Sequence, residues 1–197
     1  MPPREFVALQ TGERVFLRMP EASDQDEFLA LRRESHEFHR QWEPRPAPGV
    51  DPFGEESFAR YLRGRHQENL ERTLLCRRED GAILGAINLS EIVRGPFQSA
   101  YLGYWIGADH ARSGYMTEGL ELMLRHSFLS LELHRIEANI RPENTPSLKL
   151  VKRVGFQKEG YSPRYLNIDG AWRDHERWTR LCDEWATDRG EVVRWGR

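Results

Sequence analysis

The chain has 197 residues, 39% of them hydrophobic and 30% charged, enough for one domain with a sizeable core. Lys and Arg number 29 against 31 Asp and Glu, a formal charge of -2, so composition makes no case for direct nucleic-acid binding or for attraction to a membrane surface. No apolar run is long enough to span a bilayer and Met1-Pro2-Pro3-Arg4-Glu5 lacks a signal core, which sets a cytoplasmic location as the expectation. In chain order, a strand is expected near residues 14–18. A helix then starts at Ser23, where Asp26 three residues on makes a start like a capping box. The Pro-rich stretch 44–52 reads as a loop, and 55–70 as a helix with Phe58, Tyr61, Leu62 and His66 on one face. Strands at 73–77 and 83–92 are joined by Glu79-Asp80-Gly81, where Asp-Gly supplies positive φ angles. Next come a strand at 100–106, a helix running to Leu131, a strand at 135–140, a helix at 144–154 and a hairpin turning at Asp169-Gly170. Residues 183–197 carry two Trp with little periodicity and receive no assigned structure, so the division is one domain over 1–182 and a tail over 183–197. Cys76 and Cys182 are too few and too far apart for a disulfide scaffold or a zinc site, and read as buried structural thiols.

The most informative stretch follows the strand at 101–106. The loop Gly107-Ala108-Asp109-His110-Ala111-Arg112-Ser113-Gly114 opens into a helix with Met116, Leu120, Met123, Leu124, Phe128 and Leu131 on one face. Such a loop aims consecutive backbone N–H groups and the positive end of the helix dipole at one anion, which makes it a phosphate seat. It is neither the Walker loop, which needs Lys-Ser/Thr, nor the dinucleotide fingerprint, whose glycine spacing differs. By itself Gly114 is equally a turn residue. Thirty residues on, Asn144, Ser147, Val151, Gly155 and Phe156 stand in the pattern Asn-x-x-Ser-x-x-x-Val-x-x-x-Gly-Phe, a short helix headed by Asn and stopped by Gly.

These two blocks resemble the GNAT superfamily of acyl-CoA-dependent N-acetyltransferases. Trp42-Glu43-Pro44, residues 93–97, Tyr101-Leu102-Gly103-Tyr104, His134-Arg135-Ile136, residues 155–161 and residues 168–175 are similar to its RimJ/RimL group of ribosomal-protein alanine N-acetyltransferases. The resemblance implies an α/β fold with a largely antiparallel, splayed sheet flanked by helices. It implies acetyl-CoA as cosubstrate, with its pyrophosphate on Arg112, Ser113, Gly114, Tyr115, Met116 and Thr117. Ala111 stands where the family has Gln or Arg, with Arg112 as the substitute, and Met116 stands where it has Gly or Ala. Asn144 is implied at the pantetheine arm, Ser147 beside the sulfur, and the backbone amides of Trp105, Ile106 and Gly107 as an oxyanion site. Ser147 would serve as proton source, because Val151 occupies the position of the family's usual Tyr; a helix-capping Ser is the alternative. The acceptor is implied to sit among Trp42, Asn88, Glu91, Tyr101 and the hairpin around Arg173, and a homodimer is left open.

An α-amino group has a pKa near 7.7 to 8.0 and a Lys side chain near 10.4, so at pH 7 roughly a tenth of the first is neutral against well under a thousandth of the second. An N-terminal acceptor therefore needs only a weak base. Glu137 is the best candidate, with Glu91 and Asp169 near hairpin ends, and each also reads as a solvated carboxylate. His36-Glu37-Phe38-His39 is not His-Glu-x-x-His and has no third ligand, so no metal is expected. Asp174-His175-Glu176 has no nucleophile elbow to serve, and strand alternation turns His175 away from its neighbours, as a structural residue or toward the acceptor cleft. Three functions stay open: an acetyltransferase for protein N-termini, one for small amines such as polyamines, aminoglycosides or other antibiotics, with a more acidic or closed pocket, and a non-catalytic acyl-CoA-binding module.

Overall fold

Strands β1 (Ala8–Thr11), β2 (Val15–Arg18), β3 (Glu71–Arg77), β4 (Ile83–Val93), β5 (Ser99–Ile106), β6 (Arg135–Ile140), β7 (Gln157–Ile168) and β8 (Ala171–Leu181) form one sheet in the order β1-β2-β3-β4-β5-β6-β8-β7. The computed structural model describes residues 7–64 and 67–193. Every pairing is antiparallel except β5 with β6, which runs parallel and joins only Ser99–Tyr101 to Arg135–Glu137. Beyond Tyr101 the two strands splay. This is the mixed α/β fold expected, an eight-stranded and mostly antiparallel sheet with flanking helices.

Helices α1 (Gln25–Glu34), α2 (His36–His39) and α3 (Glu55–Arg63) belong to the first half of the chain, and α4 (Tyr115–Arg125), α5 (Thr145–Arg153) and α6 (Cys182–Arg189) to the second. Successive strand residues point to opposite faces, and the sequence uses both. Leu17, Leu75, Ile87 and Leu89 enter one core with Leu120, Met123, Leu124 and Val151 of α4 and α5. Phe16, Leu74, Cys76 and Ala86 enter a second core with Phe28, Leu29 and Phe58 of α1 and α3.

Several boundaries differ from expectation for identifiable reasons. Strand β1 is not among the expected elements: Ala8-Leu9-Gln10-Thr11 holds one large apolar residue, whereas the equally short β2 has three in Val15, Phe16 and Leu17. The start of α1 is organised by Asp24 rather than Ser23 and Asp26: its carboxylate accepts the Glu21 N–H at 2.7 Å and two bonds from Arg18, also 2.7 Å each, in a fully buried cluster. Helix α3 ends at Arg63, with Gly64 as its cap, instead of reaching Leu70; Phe58 is buried and Tyr61 and Leu62 pack on the same cluster, while His66 lies outside the described residues. Past Arg125 the chain continues as a wider π-turn through Ser130. In the 79–81 turn only Gly81 has positive φ (77°), whereas Asp169 (49°) and Gly170 (78°) both do in the second hairpin. Helix α6 crosses the boundary expected at residue 182 and sends Cys182, Trp185 and Ala186 into the larger core; Trp195 lies outside the described residues. Burial pushes the Cys76 thiol up to about 12 and Cys182 up to about 11, so both stay protonated.

Candidate functional site

A cavity of about 1050 Å³ lies where β5 and β6 splay, between the N-termini of α4 and α5 on one side and the α2 segment with β8 on the other. The loop at its α4 end is built by neighbours that fix its backbone. Gly107 N–H bonds Leu84 O at 2.7 Å and Ala108 N–H bonds Ser35 Oγ at 3.0 Å. Arg112 (φ 63°) and Gly114 (φ 83°) take left-handed conformations, the first unusual for a long side chain. Arg14 clamps the loop from outside: Nη1 donates to Ser113 O at 3.0 Å, Nε donates to Glu118 Oε2 at 3.2 Å, and the guanidinium lies over the Tyr115 ring. Among the described residues no side chain caps α4, which leaves its first N–H groups to meet an anion, and the Arg14 charge offsets Glu118 in the same turn. Arg112, Gly114, Met116 and Thr117 line the cavity; Ser113 and Tyr115, held by Arg14, do not.

At the α5 end the N-cap is Asn144, whose Oδ1 accepts the Ser147 N–H at 3.2 Å. The Ser147 hydroxyl therefore does no capping. It meets the Tyr104 hydroxyl at 2.5 Å, and both residues line the cavity with Asn144. Burial pushes the Tyr104 phenol up to about 12, partly offset by the Ser147 bond, so it is protonated at neutral pH. Val151 is fully buried in the core. Of the three amides implied as an oxyanion site, Gly107 is taken by Leu84. Register pairs Ile106 with Gly85 and Trp105 with Ala86. Because N–H direction alternates along an antiparallel strand, Trp105 aims at β4 as Gly107 does, and the amides that face the splay are those of Ile106 and Tyr104. Trp105 and Ile106 nevertheless line the cavity.

The opposite wall holds Trp42, Glu43, His39, Arg141 and His175. Burial alone would raise the Glu43 carboxyl, but two bonds from Arg32 (2.7 and 2.9 Å) and the Arg32 charge, with His39 and His36 nearby, hold it below the ordinary glutamate range. Burial pushes His39 and His175 below the ordinary imidazole range. Each neutral ring donates to a carbonyl, His39 Nε2 to Ile106 O at 2.7 Å and His175 Nδ1 to Arg173 O at 3.0 Å. Arg141 donates to Gln41 O at 2.7 Å and lies over the Trp42 ring. The β7–β8 turn closes this end: Asp169 N–H bonds Glu43 O, and Arg45 Nε bonds Asp169 Oδ1 at 2.9 Å.

Besides Gly107, Ser113 and Tyr115, five further expected site residues are not in this lining. Glu137 is bound through one oxygen to Arg135 (2.9 Å) and through the other to Asn139 Nδ2 (3.0 Å), outside the cavity lining. Asn88 Oδ1 is taken by Tyr61 Oη at 2.8 Å and the Thr73 N–H, beneath α3. Glu91 projects outward from a bulge at φ 49°, Tyr101 pairs with Tyr165, and Arg173 contributes its carbonyl to His175. Asp169, tied to Arg45, is at the surface. In exchange the cavity includes Tyr104, His39, Glu43 and Arg141. Tyr104 shares a strand face with Leu102 and Ile106 and reads there as another core residue; nothing local marks it.

A model of the family described as "Acetyltransferase (GNAT) domain" matches residues 14–157. The chain is 33% identical over 181 residues to the ribosomal protein uS5-alanine N-acetyltransferase of Escherichia coli, covering 91% of this chain and 93% of that protein. It is 32% identical over 170 residues to the probable N-acetyltransferase YjcK of Bacillus subtilis, covering 84% and 92%. Among solved structures, Mycobacterium smegmatis RimJ in complex with CoA-disulfide is similar with a TM-score of 0.80 at 30% identity, covering 92% of this chain and 91% of that one.

Proposed function

This chain belongs to the GNAT N-acetyltransferase family, related to its RimJ/RimL ribosomal-protein enzymes, and from that premise we propose that it moves acetyl from acetyl-CoA to the N-terminal amine of a protein, of the ribosomal-protein-alanine kind. The family uses acyl-CoA, and the residues here fit such a ligand: an uncapped helix N-terminus behind two left-handed loop residues, at one end of a long cleft. Acetyl-CoA supplies the activated acetyl group. Arg112, Gly114, Met116 and Thr117 would hold its phosphates and Asn144 its arm, with Ser147 turned toward the sulfur.

The observation that carries the acceptor assignment is the neutrality of the acceptor wall. Among the described residues two carboxylates line it: Glu43, half-buried, is paired with Arg32, and Glu37 is largely exposed; facing them are Arg141 and two neutral imidazoles. A polycationic amine needs unpaired carboxylates. A single α-amine does not, and being already about a tenth neutral at pH 7 it needs no strong base. The attacking nitrogen loses one proton and the departing sulfur gains one, so no residue has to change its charge over a cycle. The test is a pH–rate profile with peptides beginning with Ala, beside the same peptides with a blocked terminus and a free Lys. The rate with the free terminus is expected to be appreciable near pH 7 and to level off around 8. Turnover of the blocked Lys peptide with none of the free terminus would overturn the assignment.

Ser147 contributes mainly as negative charge develops on sulfur. Ser147→Ala is expected to lower kcat about tenfold while changing the KM for acetyl-CoA less than about twofold. Full retention of kcat would reduce the serine to a filler of the helix start.

A further inference from the structure

We infer that Tyr104 is a positioning residue for the thioester end of the site: its hydroxyl donates to Ser147 Oγ and so turns the Ser147 proton toward the acyl donor's sulfur. The inference rests on the proposed role of Ser147.

The two hydroxyls are 2.5 Å apart, and either atom could supply the shared proton. If Ser147 gives it, no proton is left on that oxygen for another acceptor. If Tyr104 gives it, Ser147 keeps a free O–H and its orientation is fixed by the bond it accepts. The surroundings favour the second arrangement. A serine in the first turn of a helix ordinarily directs its hydroxyl to the backbone, but the capping position is taken by Asn144, which binds the Ser147 N–H. The phenol is half-buried and stays protonated at any pH at which the enzyme would be assayed, so it is a permanent donor. Its place follows from the sheet: β5 stays with β6 only as far as Tyr101, and three residues later the strand is free of its neighbour on the side where α5 begins. Ser147 lies 43 residues further along the chain, so this contact exists only in the folded protein. When the C–S bond breaks and its electron pair passes to sulfur, a hydroxyl already aimed there stabilises the charge without rotating. Tyr104 keeps its proton throughout.

The experiment compares the affinity of CoA with that of desulfo-CoA, which lacks the sulfur, by calorimetry at about pH 9, alongside acetyl transfer kinetics. The wild type is expected to prefer CoA by about fivefold, the scale of one hydrogen bond. Ser147→Ala and Tyr104→Phe should each remove that preference while desulfo-CoA binds as before, and the double variant should lose no more than either alone. Tyr104→Phe keeps the ring, and an unchanged melting temperature separates the effect from misfolding. A Phe variant that retains the full preference while the Ala variant loses it overturns the role of Tyr104 and leaves Ser147 standing. If the Ala variant also retains it, or the wild type shows none, the hydroxyl pair does not face the sulfur and both readings fall.

Discussion

Replacing Gly114 by Asp is expected to abolish acetyl-CoA binding, a loss of at least about a hundredfold in affinity. Two effects add. At φ 83° an L residue pays roughly 1–2 kcal/mol of backbone strain, and its Cβ would stand 3.0 Å from Arg14 Nη2, the group that clamps the loop. The larger effect is charge, because a carboxylate at the head of α4 occupies the field that the helix offers to phosphate. Gly114→Asn separates the two, since Asn tolerates the left-handed region and brings no charge; it is expected to lose about tenfold. Calorimetry with acetyl-CoA reads both. Wild-type affinity in the Asp variant would remove the loop from the binding site.

The second large effect concerns stability. Asp24 and Arg18 are both essentially solvent-free and joined by two 2.7 Å bonds, and the same carboxylate holds the Glu21 N–H at the start of α1. Asp24→Ala leaves a guanidinium in the interior without its carboxylate and is expected to cost about 3–5 kcal/mol, lowering the melting temperature by about 10 °C for a chain of this size. Asp24→Asn, which can still accept the Glu21 N–H, should fall between. Urea denaturation and calorimetry at one pH measure both, and a loss below about 1 kcal/mol for the Ala variant would show that the pair is replaceable.

What was legible from sequence follows from the range of the interactions. The Gly loop, the Asn144 cap and the Asp169-Gly170 turn are local devices, in which residue types at fixed spacing determine the backbone, and they stand where the spacing put them. Tyr104 and Ser147 illustrate the opposite case: each looks ordinary in its own element, and their meeting depends on the departure of β6 from β5. Glu137 shows the same limit from the other side. Its position on β6 was readable, but its capture by Arg135 and Asn139, two residues to either side on the same strand face, was not. Alternation puts all three on one face, but whether that face looks into the cleft depends on strand register, which is set by the whole sheet. Helix α6 was missed because only Cys182, Trp185 and Ala186 face the core, too few to stand out against its charged positions.

The narrow seam between β5 and β6 also bears on how long the protein lasts. Along the sheet, the half ending at Ile106 and the half beginning at Arg135 share only the short parallel pairing at Ser99–Tyr101, and the cleft opens along that same line. A ligand lodged there acts as a rivet between two halves that are each continuous in sequence. At a free concentration a hundred times its dissociation constant it adds about 2.7 kcal/mol to the folded state, close to a hundredfold fewer unfolded molecules for proteases to find. Acyl-donor supply would thus set the turnover of the enzyme as well as its rate, with abundance falling when the donor pool is depleted.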